Sequence, residues 1–191
     1  MKMSHKKFNN TKSKYTLEVS RNVEKFNLHT AVSVLFLCTV TLIKYFVDTR
    51  NSLTFGIFLD NEFLFIPLLS SFHSKGFVNF ISSYSVPNFL NGISLFHLPQ
   101  TTPFYFAYWI PGMEWHSYPS AISSLNIFVY LHLTILALNI FVLAKVVGLK
   151  NSLAIWAAIF VEFSANTYII ATWPNILAAM AWIPLFISAV I

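Results

Sequence analysis

Long apolar runs separated by one polar, aromatic loop constrain this chain more than any other feature of its sequence. An uncharged run from Phe26 to Ile43 comes first, a loop of about seventy-six residues follows, and three more apolar runs extend to Ile191. A bilayer admits few architectures, because every backbone polar group inside it must be hydrogen-bonded within the protein. The order of the runs therefore predicts an all-α integral membrane protein with about four transmembrane helices.

Composition and charge distribution favour a membrane protein over a soluble one. The chain has 191 residues, of which 56% are hydrophobic and only 10% are charged, whereas soluble domains carry about 25% charged residues. Seven of the twelve basic residues lie in residues 1–25, as on the cytoplasmic flank of a first span. We interpret this segment as a basic cytoplasmic tail, with membrane lipids rather than nucleic acid as its partner.

The apolar runs and their flanks predict a topology. Twenty residues of helix cover roughly 30 Å, the thickness of the hydrocarbon core, which suits a first span over 28–47. A cleaved signal peptide is the alternative, but the charged region before the run is too long. Lys145 and Lys150 mark one turn as cytoplasmic, and Trp173-Pro174 marks a tight outer turn. The membrane domain, residues 26–191, then has an inside N-terminus and spans at 28–47, 124–144, 152–173 and 175–191.

The outer loop, residues 48–123, is too aromatic and apolar for a plain linker. Six prolines and several charged residues interrupt it, so that no uninterrupted apolar piece reaches the eighteen or so residues of a span. We predict that it contains two or three short interfacial helices, with aromatic rings at headgroup depth. Two alternatives remain open. One is a re-entrant or broken helix within residues 76–113, which lack charge, and the other is a loop that is apolar because it packs on the spans.

Charged residues of the loop are the first candidates for chemistry. Asp60 and Glu62 can act as a general base on an acceptor hydroxyl, or can hold a divalent cation such as Mg²⁺ or Mn²⁺ against a phosphate. Arg50 and Lys75 are candidates for contact with a lipid phosphate. The alternative for the acids is a pair of solvated charges at a loop entrance, and for the bases an ordinary interface anchor.

A second candidate site lies inside the membrane. Glu162 is the eleventh residue of its predicted span, and a carboxylate at that depth is costly unless it is paired, protonated or facing a polar cavity. Counting along both helices from the turn at Gly148 puts His132 within about 3 Å of the same depth. We predict these two as partners in substrate contact or a proton relay. The alternative is a hydrogen bond that only joins the helices.

Several short motifs occur in an order found in one group of membrane enzymes. After the first span come Phe58-Leu59-Asp60-Asn61-Glu62, Pro67, Gly76, Asn91-Gly92, and Pro99-Gln100 leading to Pro103-Phe104-Tyr105. Later, Trp173-Pro174-Asn175 runs into Ala181-Trp182-Ile183-Pro184-Leu185. Over most of residues 28–191 the chain resembles the N-terminal part of GT-C-type polytopic membrane glycosyltransferases, particularly the bacterial YfhO-type membrane proteins.

This resemblance implies a function. In these families an acidic residue of the first outer loop is at the active site, and the donor is usually a polyprenyl-phosphate-linked sugar. The resemblance puts Asp60 in that role with Glu62 as a second acid, and it implies inversion by direct displacement of the lipid phosphate. The sequence departs from the family at Leu59, where a Gly often precedes the loop Asp, and in lacking a second acidic motif in a later outer loop.

Other functions fit parts of the same sequence. A transporter or flippase would use Glu162 and His132 as a coupling site near the midplane. A truncated or non-catalytic membrane protein would have no activity of its own. No basic anchor follows Ile191, so we expect the N-terminal part of a larger protein, inactive alone and packed against a missing C-terminal part. Lys-, Asn-, Ile- and Phe-rich usage fits a bacterial inner membrane.

Overall fold

The computed structural model describes residues 28–50 and 117–191, together with six isolated positions between these two ranges. The regular elements of these ranges are all helices, as the apolar runs predict. Most of the predicted outer loop lies outside the described residues. In chain order the helices are α1 (Leu28–Arg50), α2 (Tyr118–Val146), α3 (Asn151–Glu162), α4 (Ala165–Ala171) and α5 (Pro174–Val190).

Two of the helices are long and apolar enough to cross a membrane. They are α1, with 23 residues, and α2, whose candidate span is Pro119–Val146. The pair α3 and α4 meets the same test only when it is taken as one span bent by 52°. Helix α5 is apolar but has 17 residues. The described part of the chain therefore has two or three candidate transmembrane helices, whereas the sequence predicted about four.

Helix α2 lies at the centre of the packing, with α1, α3 and α5 against it. Where α1, α2 and α3 meet, Leu37 and Phe141 are buried among alanines of α2 and α3. Ala154 and Ala158 are four residues apart on α3, and neither is exposed. Small residues at this spacing let helix backbones approach closely in a membrane, where van der Waals packing drives association. Alanine side chains thus allow α2 and α3 to pack closely in the hairpin.

The turn between α2 and α3 ends the helix at a glycine. Gly148 has φ +90°, its N–H donates to the Lys145 carbonyl at 3.0 Å, and the Leu149 N–H donates to the Ala144 carbonyl at 2.9 Å. These two bonds form a Schellman motif, which satisfies carbonyls left open at a helix end. The turn therefore lies at Gly148, where the sequence predicted it. The N-cap of α3 is Lys150, whose side chain makes no capping hydrogen bond.

Gly148→Ala is expected to lower the free energy of unfolding by about 1 kcal/mol, because an L side chain at this φ is strained. A Cβ at residue 148 would have nothing within 4 Å, so the effect isolates backbone strain from steric clash. Detergent-mixture unfolding of the purified protein measures the change. Gly148→Asn is the matched control and should lose less, since Asn tolerates this conformation. Equal stability of all three proteins would contradict the prediction.

The third apolar run is interrupted where the sequence predicted one continuous span. Helix α3 ends at Glu162, and Ser164 is the N-cap of α4, its hydroxyl accepting from the Thr167 N–H at 3.2 Å. The Thr167 hydroxyl donates to the Val161 carbonyl at 2.6 Å. Both hydroxyls supply partners that a straight helix would take from its backbone. The hydroxyls of Ser164 and Thr167, at the junction of α3 and α4, therefore produce the bend. An average of hydropathy over the whole apolar run does not reveal them.

Helix α5 begins where predicted, with Trp173 as N-cap and Pro174 in its first turn. Pro184 lies inside the helix and removes one backbone donor, which weakens the ladder around it. The amide of Asn139 on α2 donates to the Ala181 carbonyl at 2.7 Å. A side chain of the central helix thus joins α5 close to its proline.

Candidate functional site

The buried face of α1 carries polar groups in an otherwise apolar helix. Ser33, Leu37, Thr41 and Asp48 are its buried residues. Their spacings of four, four and seven place them on one face of a helix. Thr41 and Asp48, two turns apart, bond to different helices, Thr41 to α3 and Asp48 to α2 and α4. This polar face defines the candidate site. We call the part at Asp48, near the C-terminal end of α1, its outer part and the part at Thr41 its inner part.

The outer part is a hydrogen-bonded cluster around Asp48. Its carboxylate is 5% exposed and accepts from the hydroxyls of Tyr130, on α2, and Tyr168, on α4, the latter at 3.2 Å. Its other oxygen pairs with the ammonium group of Lys44, which also lies 5.2 Å from the centre of the Tyr168 ring. Each carboxylate oxygen therefore has a partner. The cluster ties the last turns of α1 to two other helices.

An open crevice of 370 Å³ separates the outer halves of α1 and α2. Tyr45 and Tyr130 lie in its wall with ring centroids 5.2 Å apart, and Tyr130 also bonds to Asp48. The volume falls in the range of small-molecule sites. Its walls suit a hydrocarbon chain better than a polar molecule. The crevice is lined by Cys38, Thr41, Leu42, Tyr45, Ile127, Tyr130, Leu131 and Thr134.

The inner part of the site contains Glu162, the last residue of α3. Its side chain is 0% exposed, and Oε1 accepts from the Thr41 hydroxyl at 2.6 Å. The Thr41 hydroxyl also lies 3.1 Å from the Leu37 carbonyl. Oε2 is buried and has no hydrogen-bond partner within the described ranges. A polar oxygen in this state is uncommon, because most buried polar atoms have partners.

His132, the predicted partner of Glu162, is buried on α2. Its Nδ1 lies 2.6 Å from the Phe128 carbonyl, and its ring is 4.2 Å from the Phe128 ring. The Oε1 atom of Glu162 instead accepts from Thr41 on α1. Its Oε2 atom accepts from neither Thr41 nor His132. The recorded hydrogen bond of His132 is therefore within α2, whereas that of Glu162 is to α1. Their joint role as a substrate contact or proton relay stays a prediction.

The remaining predicted site residues divide between the end of α1 and the loop. Arg50 is the exposed last residue of α1. Asp60, Glu62 and Lys75 lie outside the described residues, as does the Mg²⁺ or Mn²⁺ site predicted at the two acids. Within the described ranges no group of three or more His, Cys, Asp or Glu side chains is placed to hold a metal ion.

Sequence reasoning missed Thr41, Asp48 and the two tyrosines that bond to Asp48, Tyr130 and Tyr168. Asp48 was counted as the first residue of the outer loop, but α1 continues to Arg50 and buries it. The signal available was the i, i+4 pair Lys44 and Asp48, with Thr41 one heptad before the acid. Polar residues on one face of an apolar helix indicate contacts inside the bundle.

No family model, curated protein or solved structure matches this chain. The resemblance to GT-C-type enzymes consequently depends on the motifs alone. The site described above depends on the geometry of α1 to α4.

Proposed function

We propose that the chain contributes the first spans and the first outer loop of a GT-C-like membrane glycosyltransferase that uses a polyprenyl-phosphate-linked sugar. It would lie in a bacterial inner membrane with its N-terminus in the cytoplasm and with α5 as a fourth span. The observation that carries the proposal is the apolar crevice between α1 and α2, whose wall reaches the charged cluster at the outer end of α1. A long hydrocarbon chain with an anionic head matches this succession of apolar and charged surfaces.

The outer end of α1 supports a role for the loop that follows it. The bonds of Asp48 to Tyr130 and Tyr168 fix the last two turns of the helix. Arg50 is exposed at the helix end, and a guanidinium group there suits a phosphate oxygen. Asp60 follows only ten residues later. The acid and the lipid phosphate would therefore meet at the same side of the membrane.

The reaction is the transfer of a glycosyl group from lipid phosphate to a hydroxyl. Asp60 accepts the proton of the acceptor hydroxyl as its oxygen forms a bond to the anomeric carbon of the sugar. The bond from that carbon to the phosphate oxygen breaks, and the lipid phosphate leaves with the electron pair. Glu62 is the second acid of the loop. Attack opposite the leaving group inverts the configuration at the sugar.

Asp60→Asn is expected to lower the rate of transfer at least ~100-fold, the usual contribution of a general base. The measurement is incorporation of label from radiolabelled undecaprenyl-phosphate sugars (glucose, galactose and mannose in turn) by membranes that contain the full-length enzyme to which the chain is proposed to contribute. Glu114→Gln is the matched control, because Glu114 is an exposed acid at the far end of the same loop, and it should leave the rate unchanged. Full transfer by Asp60→Asn, at equal protein level, rules out the assigned role.

A further inference from the structure

The buried Oε2 atom of Glu162 needs a physical explanation that glycosyl transfer does not supply. The residue is fully buried, its Oε1 accepts one hydrogen bond, and its Oε2 accepts none within the described ranges. An ionised carboxylate in an apolar medium costs many kcal/mol unless it is paired and hydrogen-bonded. A group in this environment neutralises itself or binds a counter-charge.

The charged groups that the neighbouring helices present do not neutralise Glu162. From α1, Lys44 is paired with Asp48 in the outer cluster, so its charge is already balanced. From α2, His132 lies against the Phe128 carbonyl and ring. From α4, the Tyr168 hydroxyl donates to Asp48. The other titratable side chains that the structure describes on these helices are His29, Cys38, Tyr45 and Arg50 of α1 and Tyr130 and Lys145 of α2. Within the described residues, the recorded partner of the Glu162 carboxyl is the Thr41 hydroxyl, and no ion pair to that carboxyl is recorded.

The position of Glu162 is also unusual for a merely structural acid. It ends α3, directly before the 52° bend into α4. Discontinuous helices at membrane depth form binding sites for protons and small cations in transporters. A metal cation would need several oxygen ligands, whereas Thr41 is the side chain recorded on this carboxyl. A proton needs only the carboxyl oxygen itself.

The same threonine connects Glu162 with the crevice. Thr41 lies in the crevice wall between α1 and α2 and donates its hydroxyl proton toward Oε1. Thr41 is 1% exposed and contacts both the carboxyl and the crevice. A hydroxyl can pass its proton to a carboxylate while taking another from a hydronium ion that enters the crevice, which leaves a water molecule there and the hydroxyl unchanged.

We propose that Glu162 is a proton-binding site inside the membrane and that its proton exchanges with the α1–α2 crevice through the hydroxyl of Thr41. The site holds one proton on the carboxyl at neutral pH. It does not rest on glycosyl transfer, and it would be present whether or not the loop acids act on a sugar. A proton site of this kind is also what a transporter or flippase would require.

The test is infrared spectroscopy of the full chain reconstituted in phosphatidylcholine vesicles at neutral pH. We expect a carbonyl band of an un-ionised carboxyl group that shifts in D₂O and is lost in Glu162→Gln. Glu114→Gln is the matched control and should keep the band. Persistence of the whole band in Glu162→Gln overturns the proposal. A band that appears only when sodium is removed also overturns it, because the site would then bind a metal cation.

A second variant tests the route and does not depend on the folding of Glu162→Gln. Thr41→Val keeps the shape of the side chain without its hydroxyl, and we expect the carboxyl band to exchange with D₂O several-fold more slowly. Thr41→Ser keeps the hydroxyl and should exchange as the unchanged protein does. Labelling glutamate with ¹³C at its side-chain carboxyl should shift the band in each protein. Equal exchange rates in Thr41→Val and Thr41→Ser would exclude the proposed route.

Discussion

Asp48→Ala is expected to lower the free energy of unfolding by about 3 kcal/mol. Removal of one partner of a buried ion pair costs about 3–5 kcal/mol because the other charge is left without compensation. Lys44 keeps 34% of its side chain exposed, so water recovers part of that loss and the lower end of the range applies. The hydroxyls of Tyr130 and Tyr168 also lose their shared acceptor. Unfolding of the purified protein in mixed detergent measures the change.

Two further variants separate charge from hydrogen bonding in this cluster. Asp48→Asn keeps an acceptor for a tyrosine hydroxyl but no charge, so it should be more stable than Asp48→Ala. The double variant Lys44→Met with Asp48→Leu removes both charges and should recover part of the stability lost in Asp48→Ala. An apolar pair of similar volume often supports stability as well as a buried ion pair does. If Asp48→Ala unfolds as the unchanged protein does, the cluster does not hold α1 in place.

Ala158→Leu is expected to destabilise the α2–α3 hairpin by about 1–3 kcal/mol, the usual effect of overpacking. Ala158 is 0% exposed and belongs to the same cluster as Ala137 and Phe141 of α2. Three extra carbons have no space there unless the helices separate. Because α2 is the central helix, a wider hairpin also disturbs its contacts with α1.

Ala157→Leu is the matched control for the close packing at Ala158. Ala157 is the preceding residue of α3 and is only partly buried, so its side chain points away from the closest approach of the helices. The same detergent titration should give a much smaller change for this variant than for Ala158→Leu. Equal losses in the two proteins would indicate that helix propensity or expression, rather than close packing, controls the result.

Local signals predicted two helix boundaries correctly, the end of α2 and the start of α5. Gly148 ends α2 because only glycine adopts its conformation without strain, and Trp173-Pro174 begins α5 because proline suits a first helical turn. The break after Glu162 was missed for a physical reason. Ser164 and Thr167 replace backbone partners with hydroxyls, and this effect is invisible to an average of hydropathy over eighteen residues.

The site was predicted only in part, since its contacts join α1 to three helices that are distant from it in sequence. Glu162 was recognised from its depth in an apolar run, and its burial agrees with that reasoning. Its partner was sought on the adjacent helix of the hairpin, whereas the recorded partner is Thr41, 121 residues earlier. Counting residues along a hairpin gives depth. It does not give the rotation of a third helix, which the packing of α1 decides.

Helix α1 is apolar on most of its surface, so contact with lipid tails alone would leave its rotation and depth undetermined. Thr41 and Asp48 fix both the rotation and the depth of α1, because their partners Glu162 and Tyr168 lie on either side of the bend between α3 and α4. A rotation of one residue, about 100°, would take both groups away from their partners. Axial sliding would separate them as well. Two polar side chains, two turns apart, thus specify the register of a helix whose exposed surface is mostly apolar.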